Sequence, residues 1–429
     1  MRRYTPLLLI LAGYLMLGAL YAIRTPDWQA PDEPAHYNYV RQLAAGRLPV
    51  MEAGDYDEAY KNEAVASRFA PQYDVSVITY EDWQPPLYYL LLTPVFLLFD
   101  GSLLALRLVS LLLGAGVVAL AYTAARQLQP DHPWVAWTTA VFVAFLPQHL
   151  AIMASVNNDA LAELLIAAIL LVLIHNSQFT IHHSLLGILL GLGFLTKGTV
   201  YPMTAVVSLA LLRQFWGNWR GLVRAGLQLF VPALLLGLLW WGRNLAVYGG
   251  LDFLGKAAHD AVVVGQPRTA DWVAELGAAE VARRFISTTF HSFWGQFGWM
   301  AAPFAPRVYA LLWLFSAIVA AGLITLIYRR HSNRAFILTP QWLALIAALV
   351  LTLGVHAGYN LTFVQHQGRY LFPALLPIGL GVALGLGAWA RPLARRRPAV
   401  TILLPIGLAA ALISLNLIAL FRIIPGALA

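Results

Sequence analysis

The sequence predicts an all-α polytopic membrane protein. Three observations carry the prediction: the apolar fraction, the length of the apolar runs and the placement of the basic residues. Of 429 residues, 60% are hydrophobic and 11% are charged, against about a quarter charged in a soluble domain. The apolar residues lie in long runs rather than short alternating blocks, so lipid solvates most of the chain. Basic residues cluster in short segments between the runs: Arg213, Arg220 and Arg224, then Arg329, Arg330 and Arg334, then Arg391, Arg395, Arg396 and Arg397. That is the positive-inside distribution. It assigns the formal net charge of +8 to orientation in a membrane and argues against a nucleic-acid partner. The chain has no cysteine, which excludes disulfides and thiolate metal sites.

A spanning helix needs about 20 apolar residues, fewer in a crowded bundle. On that basis eleven spans are predicted: Pro6–Ile23, Leu103–Ala125, Trp134–Ser155, Ala160–Ile174, Ser184–Thr196, Val200–Leu212, Gly226–Trp241, Val308–Tyr328, Trp342–Ala357, Leu371–Ala390 and Val400–Leu420. The first follows Met1-Arg2-Arg3 without a small-residue cleavage site after it and reads as an uncleaved signal anchor. Pro86–Phe99 is apolar but short. If it crossed, the arginine clusters would face outward, so it is read as a helix at the outer surface, where Tyr88 and Tyr89 suit the interface. The run from Ser184 to Leu212 is read as two helices broken at Thr196-Lys197-Gly198-Thr199, which leaves Lys197 outside. The result is a single membrane domain over residues 1–429. It has two long outer loops, 24–102 with juxtamembrane helices and 247–307.

Nearly all acidic residues then fall outside, and polar irregular segments gather there, so the outer face is the candidate site. Ala30-Pro31-Asp32-Glu33-Pro34-Ala35-His36-Tyr37 follows the first span. Asp32 and His36 are four apart and would share a helix face, fit for a general base or a metal. Asp32 capping a helix that starts at Glu33 or Pro34 explains the same residues, and both readings stay open. Asp159, in Val156-Asn157-Asn158-Asp159, stands at the outer end of a span with Glu163 one turn inside. An ionisable group there is costly and therefore suspect, and an N-cap by Asn158 or Asp159 is the plainer account. Three cations oppose the positive-inside trend: Lys197, Arg243 in Trp240-Trp241-Gly242-Arg243-Asn244, and Arg369 in Gln365-His366-Gln367-Gly368-Arg369-Tyr370. They either snorkel to headgroups or hold an anion, for which Arg makes a bidentate clamp.

Other motifs carry less. Gly191-Leu192-Gly193 lies inside an apolar helix and reads as helix packing rather than a nucleotide loop. Phe293 to Trp299 reads as an interfacial aromatic anchor before a sugar platform. Thr269–Thr289 reads as an amphipathic outer helix. No zinc motif, P-loop or serine triad is present.

Taken in order, these features resemble the GT-C class of membrane glycosyltransferases. The likeness is to glycosyltransferase family 39, with its protein O-mannosyltransferases and aminoarabinose transferase, and most of all to a bacterial branch without an assigned substrate. The residues that carry it are Asp32-Glu33 after the first span, Gln84-Pro85-Pro86-Leu87-Tyr88-Tyr89 before the juxtamembrane helix, Leu106-Arg107-Leu108, Asn158-Asp159, Leu195-Thr196-Lys197-Gly198, Arg243-Asn244 and Gln367-Gly368-Arg369-Tyr370. The resemblance implies that Asp32 is the catalytic base, that Asp159 assists it and that Lys197 contacts the donor phosphate. Some relatives have a lysine where this chain has Gln84, which leaves Arg243 and Arg369 to complete the phosphate contacts. Glu33 is expected beside the base, capping the helix or meeting a metal or acceptor. His36, Gln84, Tyr88, Asn158, His366 and Gln367 are expected to line the substrate site. No cofactor is implied with certainty. A divalent metal held by Asp32, Glu33 and His36 is allowed, but no ligand spacing demands it.

The implied partners are a polyprenyl-phosphate sugar lipid and a lipid, glycan or protein acceptor. The implied location is a bacterial inner (plasma) membrane with the site on the periplasmic side. A lipid-carried sugar suits that face, which lacks nucleotide sugars. Two rival classes remain. A lipid-linked sugar flippase or other transporter would place ionisable residues near the bilayer midplane and show repeats. A non-catalytic sugar-lipid binding protein would share every motif but turn nothing over.

Overall fold

The computed structural model of the chain describes residues 5–175, 181–330, 339–394, 396 and 399–428. Arg334, Arg395 and Arg397 of the basic clusters, and Arg2 and Arg3 before the first span, lie outside the described residues. The helices, in chain order, are α1 (Thr5–Arg24), α2 (Glu33–Ala44), α3 (Glu58–Ala66), α4 (Leu87–Leu98), α5 (Leu103–Leu128), α6 (Pro133–Phe145), α7 (Pro147–Met153), α8 (Asp159–His175), α9 (Ile181–Phe194), α10 (Met203–Gln214), α11 (Trp219–Tyr248), α12 (Lys256–Val262), α13 (Thr269–Leu276), α14 (Ala278–Trp294), α15 (Pro306–Arg330), α16 (Pro340–Tyr359), α17 (Leu375–Ala394), α18 (Val400–Ile418) and α19 (Ile424–Leu428). A short hairpin of β1 (Gln296–Phe297) and β2 (Ala302–Pro303) lies between α14 and α15.

Every predicted run is helical. Seven helical segments are long and apolar enough to cross a membrane, and the bent pair α6–α7 makes an eighth among the described residues. The remaining three runs form shorter helices of 17, 14 and 12 residues, α8, α9 and α10. The 63° bend between α6 and α7 was not expected. It falls at Leu146, whose extended backbone is the conformation that the following Pro147 imposes. The break between α9 and α10 is as predicted, a 3₁₀ turn at Gly198–Val200 directly after Lys197. Gly191 serves packing: a Cβ there would lie 2.7 Å from the Leu236 Cβ on α11.

The segment between α1 and α5, expected to be outer, carries α2, α3 and α4, and the segment between α11 and α15, expected to be the second outer loop, carries α12, α13 and α14. A small core of Ala35, Met51, Ile78, Tyr80 and Val263 ties the two loops together. The predicted helix Thr269–Thr289 is instead two helices, α13 and α14, broken at Gly277. Two aromatic expectations are corrected. Tyr88 and Tyr89 are fully buried, because each hydroxyl finds an internal partner: Ser110 at 2.7 Å for Tyr88 and His36 at 2.8 Å for Tyr89. Phe293, Trp294 and Phe297 are buried as well. Trp294 meets Phe142 and Phe315 edge-on, which makes this stretch core rather than interfacial anchor.

Candidate active site

The turn after α1 delivers Asp32 to the head of α2 in a left-handed conformation, φ 65°. A non-glycine residue there is uncommon and costs about 1–3 kcal/mol. Asp32 occupies the N-cap position but makes no side-chain capping bond. Its carboxylate is used elsewhere. Oδ1 accepts the Tyr80 hydroxyl at 2.8 Å, and Oδ2 accepts Arg369 Nη2. Burial pushes this carboxyl up, but Arg369, His36 and the two hydrogen bonds outweigh burial and hold it well below the ordinary carboxylate range.

A second pair stands beside the first. The α8 cap is supplied by Asn157, whose Oδ1 accepts the Asp159 amide at 2.9 Å. That frees the Asp159 carboxylate to meet Lys197 Nζ at 2.7 Å. His36, one turn into α2, feels all four charges of the two pairs. Burial first, and then the Lys197 charge, push it down to about 3, so its ring is neutral at physiological pH. Below these groups His36, Tyr89, Asn158 and Gln84 form a buried polar layer: His36 Nδ1 lies 2.8 Å from the Tyr89 hydroxyl, and Asn158 Nδ2 donates to that hydroxyl at 3.2 Å and to Gln84 Oε1 at 3.3 Å. Tyr39 stacks on Tyr89 at 3.8 Å and closes the layer.

Arg369 is fixed from the other side of the bundle. It sits in a 3₁₀ segment, Gly368–Ala374, pressed onto α14. A Cβ at Gly368 would come within 2.3 Å of the Thr289 carbonyl, so only glycine permits the approach. Arg369 is 8% exposed, its guanidinium carbon lies 5.4 Å from the Tyr370 ring centroid, and Nε and Nη1 have no hydrogen-bond partner among the described residues. Two unspent donors on a buried cation are what an incoming anion needs.

The structure does not bring every expected residue here. Glu33 points away and is fully buried. Arg107 grips it with Nε at 2.8 Å and Nη2 at 2.6 Å, and the Val156 amide donates to it at 3.1 Å. Arg107 also donates to the carbonyls of Ala22, Thr25 and Pro26. Glu33 is therefore a structural link among α1, α2, α5 and the turn before α8, and it is not positioned as an acid, a base or a metal ligand. Asp32, Glu33 and His36 do not converge, and no group of three His, Asp or Glu suited to a metal occurs among the described residues. Tyr88 is likewise spent, on Ser110 and the Asn157 amide. Arg243 is engaged with the first loop and with its own helix. It is held by the Pro49 carbonyl, by Asn244 at 2.9 Å and over the Trp240 ring at 4.7 Å. The His366 ring packs between Trp272 and Phe285, and Gln367 bonds to Gln365.

Two residues absent from the sequence reading belong to the site. Tyr80 bonds Asp32. Glu81, its neighbour, is pushed up to about 7 by burial and by the Asp32 charge, against the pull of Lys197, and its buried Oε2 has no hydrogen-bond partner among the described residues. The only sequence signal was their place in Tyr80-Glu81-Asp82-Trp83, just ahead of Gln84-Pro85-Pro86.

A family described as "Predicted membrane protein (DUF2142)" matches residues 56–378, which is three quarters of the chain. The chain belongs to the DUF2142 family. Among solved structures, this DUF2142 chain is similar to the oligosaccharyltransferase of Archaeoglobus fulgidus, tethered to an acceptor peptide containing the NVT sequon. The two share 13% identity at a TM-score of 0.53, over 96% of this chain and 54% of the other. It is also similar to ArnT from Cupriavidus metallidurans bound to undecaprenyl phosphate, again at 13% identity and a TM-score of 0.53, over 98% of this chain and 73% of ArnT. The DUF2142 chain thus spans about half the length of the first of these and has the GT-C fold. No curated protein sequence matches it.

Proposed function

We propose that this protein is a glycosyltransferase that takes its sugar from a polyprenyl-phosphate donor. The observation that carries the proposal is a pair of cations, buried Arg369 and part-buried Lys197, each held by a carboxylate, with Arg369 Nε and Nη1 without a hydrogen-bond partner among the described residues. A donor phosphate competes with Asp32 and Asp159 for these cations. As it takes them over, Asp32 loses its strongest partner, its proton affinity rises, and it becomes a usable base. The acceptor O–H then gives its proton to Asp32 while its oxygen bonds the anomeric carbon. The bond from that carbon to the phosphate oxygen breaks, and the leaving phosphate keeps the electron pair. Lys197 and Arg369 stabilise the charge it gains. A single displacement of this kind inverts the anomeric centre.

The lipid chain has a path. A largely apolar cavity of about 680 Å³ lies among α14, α15, α16 and α17. Its wall includes Phe290, Trp313, Leu353 and Leu371, the last only two residues from Arg369. ArnT was solved with undecaprenyl phosphate, which supports that lipid as the probe. Glu81 favours a second assignment of the base, since a carboxyl near pH 7 is better matched to proton uptake than one held low.

The test incubates the purified protein in nanodiscs with radiolabelled undecaprenyl-phosphate sugars and envelope extracts, and seeks a labelled product. Product with wild type and none with Asp32→Asn supports the reading. Tight binding of the lipid with no product from any donor turns it into a binding protein. The positive-inside bias supports a periplasmic face for this site. A reporter fused after Asp57 that signals cytoplasm overturns that placement.

A further inference from the structure

A second, smaller hollow adjoins the reaction centre. It holds about 210 Å³, the liquid volume of about seven waters, and lies in the first outer loop. Three tyrosines form its aromatic lining, Tyr56, Tyr60 and Tyr80, with Asp55, Asp57 and Lys61 around them. Tyr80 is the link to chemistry, because its hydroxyl donates to Asp32 at 2.8 Å. Tyr56 meets Tyr80 edge-on at 5.7 Å, and Lys61 donates to the Tyr56 hydroxyl at 2.8 Å. The walls are preset. Asp55 accepts the Thr79 hydroxyl at 2.9 Å and the Glu52 amide at 2.6 Å, and Asp57 caps α3 through the Tyr60 amide at 2.9 Å.

We propose that this hollow is the acceptor subsite and that it takes a sugar ring, so that the acceptor is a glycan. The inference rests on the glycosyl-transfer reading above and names its acceptor. A sugar ring presents C–H faces and a rim of hydroxyls. Tyrosine faces match the first, and phenol, carboxylate and ammonium groups match the second. A lipid chain has no use for so polar a wall. A polyanion would meet two carboxylates beside one ammonium. The size suits one ring, with its attacking hydroxyl turned toward Tyr80 and Asp32.

The test is saturation-transfer NMR on the full chain in nanodiscs, with a panel of methyl hexosides and methyl N-acetylhexosaminides. A Ser/Thr peptide panel runs as the competing class, and undecaprenyl phosphate binding is measured on the same samples. At least one glycoside is expected to bind wild type, and Lys61→Met or Tyr60→Ala is expected to weaken it about tenfold or more while undecaprenyl phosphate still binds. Val77→Trp, which fills the hollow from its exposed rim, should do the same if the other variants misfold. A glycoside signal unchanged in all three variants overturns the subsite, and so does a peptide that binds where no glycoside does. Loss of undecaprenyl phosphate binding in wild type overturns the donor reading instead, and the glycoside comparison still decides the hollow.

Discussion

Arg369 and Asp32, 337 positions apart in the chain, form one ion pair at the head of α2. The base expected from the first loop and a cation expected to bind phosphate are partners of each other before any substrate arrives.

Asp32→Asn keeps the shape and the bond from Tyr80 but removes the charge that competes for Arg369. Transfer should fall about a hundred- to ten-thousand-fold. Binding of undecaprenyl phosphate should be at least as tight as in wild type, and Asp159→Asn should lose less transfer. Affinity by native mass spectrometry alongside turnover checks both halves. Full turnover by Asp32→Asn would hand the role of base to Glu81, with Glu81→Gln then inactive.

Arg369→Lys retains a charge but not the fork of donors, so it should not rescue. Loss of one charge-assisted contact to a developing phosphate costs about 2–4 kcal/mol, and both Arg369→Lys and Lys197→Ala should slow transfer accordingly. Unchanged rates and lipid affinity in both would make these residues headgroup anchors.

Glu33→Gln should destabilise rather than disarm. Breaking one partner of a buried pair costs about 3–5 kcal/mol, because Arg107 is left charged and uncompensated. Arg107→Met alone should cost as much, and the double variant should recover part of the loss. Thermal unfolding in one detergent measures all three. A Glu33→Gln protein that melts like wild type yet transfers nothing would return Glu33 to the chemistry.

Asp82 gives a pH signature. Burial pushes it from 3.8 up to about 8, with the bond from Gln42 only partly offsetting. The folded chain therefore keeps a proton that the unfolded chain releases. That contribution to stability is full below about pH 4 and is lost as pH rises to about 8. Asp82→Asn should melt higher than wild type at pH 8, and the difference should shrink at pH 5. An equal difference at both pH values would mean that the folded carboxyl is already ionised.

The sequence by itself determined the class of this protein. Long apolar runs and clustered arginines fix a helical membrane bundle, because lipid leaves backbone groups no partner but their own helix. The break at Lys197 was legible from the arginine cluster that a single long helix would have carried outside. Asp32, Asp159, Lys197 and Arg369 stood out because charge at a span end is costly unless used. What the sequence left open were choices between equal local accounts. Asp32 and Asp159 each fitted a helix cap, and only the fold shows Asn157 capping α8 and Asp32 making no cap bond while it meets Arg369. Glu33 was expected to cap the helix or meet a metal or acceptor, and only the fold shows Arg107, 74 positions on, taking its carboxylate instead. Tyr80, Glu81 and the hollow beside them carried no local pattern. Their roles come from burial and from partners distant in the chain, and those are decided by how the loops and helices pack.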